Sequence, residues 1–172
     1  MRSVEECYRG RNVRVFRLDR AAVLVRLRER AHRLLERRTD VVEVRLFGSF
    51  ARGEAHPGSD ADLFVILRDG AGPFLDRLPG LAREFQGVGV GCEVIAYTES
   101  EIRASWARGD AFTRTVYTEG VILAARAPNG EPAGGEHIEE RPGFAGVRRA
   151  PGGLGGALSP PCNQANQRSG SV

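Results

Sequence analysis

The amino-acid sequence predicts an α/β (α+β) fold, in which helices pack on a small mixed β-sheet. Short apolar runs at Val41–Phe47 and Leu63–Leu67 have the length and the β-branched content of buried strands. Before them, residues 20–38 place their apolar side chains at helical spacing. Strands and helices that alternate in this way pack in layers, with the helices on the faces of the sheet.

Composition divides the chain into three parts. Residues 19–126 have the apolar pattern of one folded domain, and residues 1–18 are predicted to be a lead-in with a possible edge strand at Val13–Phe16. Residues 127–172 hold ten glycines and six prolines but few large apolar side chains. Such a segment cannot bury enough surface to offset the entropy of ordering it. We therefore predict a disordered tail over residues 127–172.

The first predicted helix runs from Arg20 to Arg38, and Asp19 is its expected N-cap. We interpret this helix as a cover for the sheet, because its polar positions are arginines and glutamates. Its apolar stripe consists of Leu24, Leu27, Ala31, Leu34 and Leu35.

After the second strand, the sequence predicts a helical connection to a third strand. Residues 68–73 form a turn, and residues 74–85 indicate a helix that is interrupted or restarts at Pro79–Gly80. Val88–Tyr97 is the predicted third strand, loosened at its start by three glycines.

The last part of the domain is predicted to contain two helices and a strand. Thr98 and Glu101 have the spacing of a capping box, so a helix is expected to begin there. It ends at a break at Gly109–Asp110, and a second helix follows over Ala111–Glu119. Val121–Ala125 then adds a final short strand.

Charge and cysteine content narrow the classes of function. All 25 basic residues are arginines, the formal net charge is +3, and the basic excess lies in the first 50 residues. We interpret that excess as a solvated helix face; binding of RNA or of an acidic partner is the alternative. Trp106, Phe112 and Tyr117 are interpreted as core or interface residues rather than a base-stacking platform, so no direct nucleic-acid ligand is expected. Three scattered cysteines match neither a disulfide framework nor a zinc pattern. Without a long apolar segment or a signal region, the expected location is cytoplasmic, with no membrane contact.

The stretch from Gly48 to Leu63 carries the clearest chemistry. Asp60 and Asp62 are two residues apart, so in a strand their carboxylates point to the same face and repel each other. A divalent cation removes that conflict, and hard oxygen ligands suit Mg²⁺. At the turn just upstream, Gly48 has no side chain to keep a phosphate from the backbone N–H groups that open the next helix. A phosphate cradle followed by a metal-binding acid pair predicts phosphoryl or nucleotidyl transfer.

Gly48-Ser49, ten intervening residues and then Asp60-Ala61-Asp62 resemble the pattern of the nucleotidyltransferase superfamily related to DNA polymerase beta. The fuller form over residues 48–53 and 59–63 is most similar to the minimal (MNT-type) nucleotidyltransferases, and the similarity spans roughly residues 20–125. The resemblance implies the polymerase beta-like fold, with Mg²⁺ as cofactor and ATP as substrate. It also implies a HEPN-domain partner in a toxin–antitoxin pair.

The resemblance also suggests roles for individual residues. Asp60 and Asp62 are expected to bind the metal, Ser49 to hydrogen-bond the terminal phosphates, and Gly48 to let the backbone come close. Arg52 belongs to the family pattern and either contacts phosphate or braces the loop. The alternative for Gly48–Ser49 is an ordinary strand-to-helix turn in which the serine is the N-cap.

A further acid, Glu93, lies in the predicted third strand. Strand parity places Glu93 on the same face as Ile95 and Tyr97, opposite Cys92 and Val94. The resembling family has a third acid in this strand, usually aspartate, so the resemblance implies that Glu93 binds the metal or acts as general base on the acceptor hydroxyl. A surface-exposed glutamate without a catalytic role is the alternative.

These residues support three hypotheses about function. The first is a metal-dependent nucleotidyltransferase that moves AMP from ATP to a hydroxyl acceptor; the resemblance implies a tyrosine of a HEPN-domain toxin, and hence an antitoxin role. The second is a non-catalytic binding module that neutralises its partner by complex formation. The third is a small-molecule enzyme of the aminoglycoside-modifying type, which is less favoured because no second acceptor-binding domain is expected after residue 125.

Overall fold

The protein is described by a computed structural model that covers residues 3–9, 11–127 and 131. Apart from residues 127 and 131, the predicted tail lies outside the described residues. No helix among the described residues is long and apolar enough to cross a membrane. In chain order, the elements are β1 (Val4–Arg9), β2 (Arg14–Leu18), α1 (Arg20–Arg37), β3 (Val41–Phe47), α2 (Gly48–Arg52), β4 (Ala61–Leu67), α3 (Phe74–Glu84), β5 (Cys92–Thr98), α4 (Glu99–Ala107), α5 (Ala111–Glu119) and β6 (Val121–Ala125).

Within the described residues, the main sheet has four strands in the order β5-β4-β3-β6. β3 is antiparallel to both β4 and β6, whereas β4 and β5 are parallel. Helix α3 makes the crossover that a parallel pair of strands requires. The predicted small mixed sheet is therefore confirmed.

Helices cover both faces of this sheet. On one face, Leu27 of α1 and Leu81 of α3 pack with Leu63 of β4 in the larger core cluster. On the other face, Ile102 of α4 and Val116 of α5 belong to a second cluster. Phe112 and Tyr117 of α5 pack against this second cluster, in the predicted core role. The two clusters are separate because alternate residues of a strand face opposite sides of the sheet.

Two helix starts follow the local signals in the sequence. The Asp19 side chain accepts a hydrogen bond from Ala22 N (3.0 Å), so it caps α1 as predicted. Thr98 Oγ1 accepts from Glu101 N (3.2 Å), and Glu101 Oε2 accepts from Thr98 N (2.7 Å). This reciprocal pair is the predicted capping box of α4.

Two predicted boundaries are wrong. Helix α3 continues through Pro79 instead of breaking there. The proline lacks the N–H that would reach the carbonyl of Leu75, and both residues stand at exposed positions of the helix. The third strand begins at Cys92 rather than at Val88, because Gly87 and its neighbours form a turn with positive φ before it.

The N-terminal segment forms a hairpin of its own. β1 and β2 pair in a separate antiparallel two-stranded sheet, so the predicted strand near residues 13–16 exists but is not an edge of the main sheet. Strand β1 was not predicted from the sequence. Glu6 on β1 accepts hydrogen bonds from Arg9 and Arg14, which lower the pKa of its carboxyl to about 2. Polar pairs of this kind leave no apolar alternation to detect.

Candidate active site

The predicted site residues converge where the end of β3 meets the starts of β4 and β5. Phe47, the last residue of β3, is paired with Asp62 on β4. Asp62 is in turn paired with Glu93 on the parallel strand β5. The turn at Gly48 and the two carboxylates therefore lie side by side on adjacent strands, on the face that α4 and α5 cover.

Gly48 lies directly against the carboxylate of Asp62. Its φ of +67° is in the left-handed region, which favours glycine. A Cβ atom at this position would stand 2.0 Å from Asp62 Oδ2 and 2.9 Å from Asp62 Cγ. The glycine of the motif is thus required for contact with an acid of the motif as well as for the turn.

Ser49 is the second residue of α2 and is half-buried next to Gly48. The N-cap of α2 is Phe47, and no side chain makes the cap hydrogen bond. The alternative that Ser49 is an N-cap serine is therefore wrong. The short helix instead opens with backbone N–H groups that no capping side chain has claimed.

Asp60 precedes β4 and lies against the loop that leads into β5. A Cβ atom on Gly91 would stand 2.1 Å from Asp60 Oδ1 and 2.9 Å from Asp60 Cγ. The neighbouring Ala61 N donates to Gly91 O at 2.8 Å. Each aspartate of the pair is therefore in contact with a glycine of a neighbouring element.

The three acids act on one another electrostatically. Burial raises the pKa of Asp62 above its ordinary value, and the charges of Glu93 and Asp60 raise it further. Arg52 opposes the rise. A cation placed among these carboxylates would relieve the repulsion and replace the water that Asp62 has lost.

The part of the chain that contains this site matches a known protein family. The sequence profile of the family described as "nucleotidyltransferase domain" matches residues 26–119, more than half of the chain. The chain belongs to this family. The matched range contains every site residue that the sequence predicted, so the family assignment and the geometry concern the same part of the nucleotidyltransferase domain.

Two solved structures resemble this nucleotidyltransferase domain more distantly. A candidate nucleotidyltransferase from Sulfolobus solfataricus is 20% identical, with a TM-score of 0.44 over 62% of this chain and 84% of that chain. A toxin–antitoxin structure with AMP-PNP is 18% identical, with a TM-score of 0.41 over 66% of this chain and 78% of that chain. No curated protein matches the chain.

The carboxylates of this nucleotidyltransferase domain offer hard oxygen ligands but not a complete metal site. Among the described residues, no group of three or more His, Cys, Asp or Glu side chains is arranged to hold a metal ion. Asp60 and Asp62 fit Mg²⁺ as a partial ligand set, because Mg²⁺ is commonly held by one or two carboxylates together with substrate phosphates and water. Glu93 is exposed and borders Asp62. Its role as third ligand or general base stays a prediction.

Arg52 stands at the end of α2 with two acidic partners. Its Nε is 2.8 Å from Glu54 Oε2, and its Nη1 is 3.3 Å from Glu119 Oε2 on α5. Sequence reasoning did not find Glu119, because nothing in the local pattern of α5 relates it to the motif. Gly91 was predicted only to loosen the start of the third strand. A glycine in or next to a strand can also mark a place where another group approaches the backbone closely, and this signal could have been used.

Proposed function

We propose that this nucleotidyltransferase domain transfers AMP from ATP to a hydroxyl acceptor with the help of Mg²⁺. The observation that carries the proposal is the contact between Gly48 and the Asp62 carboxylate, with Glu93 in register beside Asp62. A side-chain-free turn that suits phosphate is thereby joined to acids that suit a divalent cation. Membership of the family supports nucleotidyl transfer; the choice of ATP, the metal and the acceptor is our proposal.

The reaction is an in-line displacement at the α-phosphorus. The acceptor oxygen forms a bond to the α-phosphorus. At the same time, the bond between the α-phosphorus and the oxygen that bridges it to the β-phosphorus breaks, and pyrophosphate leaves with the electron pair. Asp60 and Asp62 would hold Mg²⁺, which when bound neutralises charge on the phosphates. Glu93 either completes this carboxylate set or takes the proton of the acceptor hydroxyl. The chain itself supplies position and electrostatics, without a covalent intermediate.

The phosphates would be held on the β3 side of the site. Ser49 follows Gly48 and offers a hydroxyl to the terminal phosphates. Arg52 supplies positive charge close enough to Asp62 to act on its pKa. To contact a phosphate, Arg52 would give up one of its ion pairs with Glu54 or Glu119. This is a small loss, because water screens exposed ion pairs.

The acceptor in this proposal is a tyrosine of a HEPN-domain toxin. The support is the resemblance of residues 48–63 to the minimal nucleotidyltransferases. Transfer of AMP to that tyrosine would silence the toxin, so the chain would act as its antitoxin.

The test is to incubate the full chain with ATP, Mg²⁺ and the product of the neighbouring gene, the proposed HEPN-domain partner, and to measure the mass of both proteins by mass spectrometry. We expect the partner to gain the mass of one AMP and the Asp60→Asn/Asp62→Asn variant to lose this activity. Asp76→Asn, an exposed acid on α3, is the matched control and should transfer normally. A partner that gains no mass with the unaltered chain contradicts the proposed acceptor.

The same variants separate the proposal from a binding module. Toxin neutralisation in cells should disappear with Asp60→Asn/Asp62→Asn if catalysis is responsible. If neutralisation survives the double change while complex formation persists, the non-catalytic function is correct. AMP transfer to an aminoglycoside, with none to the protein partner, would instead support the small-molecule enzyme.

A further inference from the structure

Gly91 lies outside the nucleotide-binding motif but touches one of its acids. The carboxylate of Asp60 lies against Gly91. In addition, Ala61 N donates a hydrogen bond to Gly91 O. The φ of Gly91 is not among the positive values, so its backbone does not itself require glycine. The close approach of Asp60 is the feature that excludes a side chain there.

The loop that carries Gly91 is held from its other side. Arg26 Nε on α1 donates to Val88 O at 2.7 Å, and the buried Ser3 donates from Oγ to the same carbonyl at 3.3 Å. Gly89 packs so tightly that a Cβ atom there would stand 2.0 Å from Ser3 Oγ. The loop is therefore anchored three residues before Gly91, so its approach to Asp60 is fixed by α1 and by the start of the hairpin.

We propose that Gly91 is a positioning residue for Asp60, and that the anchored loop fixes where this carboxylate presents its oxygens to a divalent cation. The inference rests on the proposed function, since it assigns Asp60 to cation binding. Gly48 has the corresponding relation to Asp62. The two carboxylates thus rest on glycines from opposite sides of the site.

The size of the effect follows from the contact. Gly91→Ala places Cβ 2.1 Å from Asp60 Oδ1, whereas ordinary contact begins at 3.4 Å. The carboxylate must move by more than 1 Å, and it can do so because it is the end of a short side chain at an exposed position. Folding should therefore change little, whereas misplacement of a reacting group by about 1 Å can lower a rate about 100-fold. Loss of support for a metal ligand lowers affinity about 10- to 100-fold.

The experiment measures Mn²⁺ binding by electron paramagnetic resonance on the full chain, in the presence of a non-hydrolysable ATP analogue. Four proteins form a double-mutant cycle: the unaltered chain, Gly91→Ala, Asp60→Ala and the double variant. We expect Gly91→Ala to weaken Mn²⁺ binding about 10- to 100-fold, and to have no further effect once Asp60 is alanine. A purely structural role for Gly91 would weaken binding equally in both backgrounds.

Gly80→Ala is the matched control, because nothing lies within 4 Å of a Cβ at that position of α3. It should leave Mn²⁺ binding unchanged, and its melting temperature should stay the same or rise slightly, because alanine favours a helix more than glycine does. Arg26→Gln, which releases Val88, is a second variant in case Gly91→Ala does not fold, and it should weaken Mn²⁺ binding in the Asp60 background only.

The outcomes separate the two proposals. If the unaltered chain binds Mn²⁺ and transfers AMP but Gly91→Ala binds Mn²⁺ equally well, the positioning role is wrong and the proposed function stands. If the unaltered chain binds no Mn²⁺ with the nucleotide analogue, both are overturned.

Discussion

Arg77 provides the strongest test of how this domain is held together. Only 8% of the residue is exposed. Because a buried arginine needs partners for its charge, its contacts should contribute to stability. Its Nε donates to Gly72 O at 2.8 Å, and its guanidinium pairs with both carboxylate oxygens of Glu101, at 2.7 and 3.1 Å. Glu101 also accepts from Thr98 N in the capping box. One buried cation therefore joins α3 to the first turn of α4.

Replacing Arg77 by methionine keeps most of the packing volume and removes the charge and its donors. Removing one partner of a buried ion pair costs about 3–5 kcal/mol, and a hydrogen bond to a charged group is worth about 1.5–3 kcal/mol. The Glu101 side chain is 40% exposed, so water can solvate its carboxylate once Arg77 is gone. The loss of stability should therefore lie near the range for a single hydrogen bond to a charged group. We expect the free energy of unfolding to fall by about 2–3 kcal/mol and the melting temperature by about 10 °C.

The pH dependence of the free energy of unfolding provides a second test of this prediction. The hydrogen bond from Arg77 holds the pKa of Glu101 below its ordinary value, so the folded state favours the ionised carboxyl. This contribution is present above the unfolded pKa of glutamate, about 4.3, and is lost as the pH falls through the lower folded value. The difference in free energy of unfolding between the unaltered chain and Arg77→Met should therefore be largest at pH 7 and should become smaller as the pH falls below about 4.

The assay is urea unfolding, followed by circular dichroism, at pH 7 and at several values below pH 5. Arg83→Met, at an exposed position of the same helix, is the matched control and should change the free energy of unfolding by less than about 0.5 kcal/mol. The reasoning fails if Arg77→Met unfolds like the control at pH 7. It also fails if the difference from the unaltered chain widens as the carboxyl is protonated.

Two further predictions concern the site. Gly48→Ala forces a left-handed conformation on alanine, at about 1–2 kcal/mol, and displaces Asp62, so AMP transfer should fall about 100-fold while the chain stays folded; normal turnover by the folded variant would refute this. Burial, assisted by the charge of Asp60, raises the pKa of the Cys92 thiol to about 11. Alkylation of Cys92 by iodoacetamide at pH 8, followed by peptide mass spectrometry, should therefore be at least about 100-fold slower than that of an unfolded control peptide, and equal rates would contradict it.

The parts of the fold that the sequence predicted are those with local causes. The N-cap at Asp19 and the capping box of Thr98 and Glu101 are short-range hydrogen bonds, so their residues stand at fixed spacing in the chain. The motif from Gly48 to Asp62 is also local, since a hairpin-like return of β4 on β3 brings its two ends together.

The parts that were missed either lack an apolar pattern or depend on contacts between distant segments. Strand β1 is polar and becomes a strand only by pairing with β2. Pro79 lies within a continuous helix because tertiary contacts of its neighbours, Arg77 among them, outweigh the local penalty of proline. Gly91 acquires its role from Asp60, which is remote in sequence and becomes adjacent through the parallel pairing of β4 and β5. The contacts of Arg77 with Glu101 and of Gly91 with Asp60 join residues that are 24 and 31 positions apart, so no local pattern contains them.

The position of β6 has a consequence for the synthesis of the protein. β3 lies inside the sheet, yet one of its neighbours, β6, is translated last among the strands of the described residues. Arg126, the residue after β6, donates from Nε to Val41 O at 2.8 Å. While the nascent chain emerges, β3 can pair with β4, but its other edge stays unpaired until β6, residues 121–125, leaves the ribosome. Open edges recruit foreign strands, and distant pairings form slowly. Chains interrupted before residue 121 should therefore aggregate, and completion of the sheet should coincide with the end of translation of the domain.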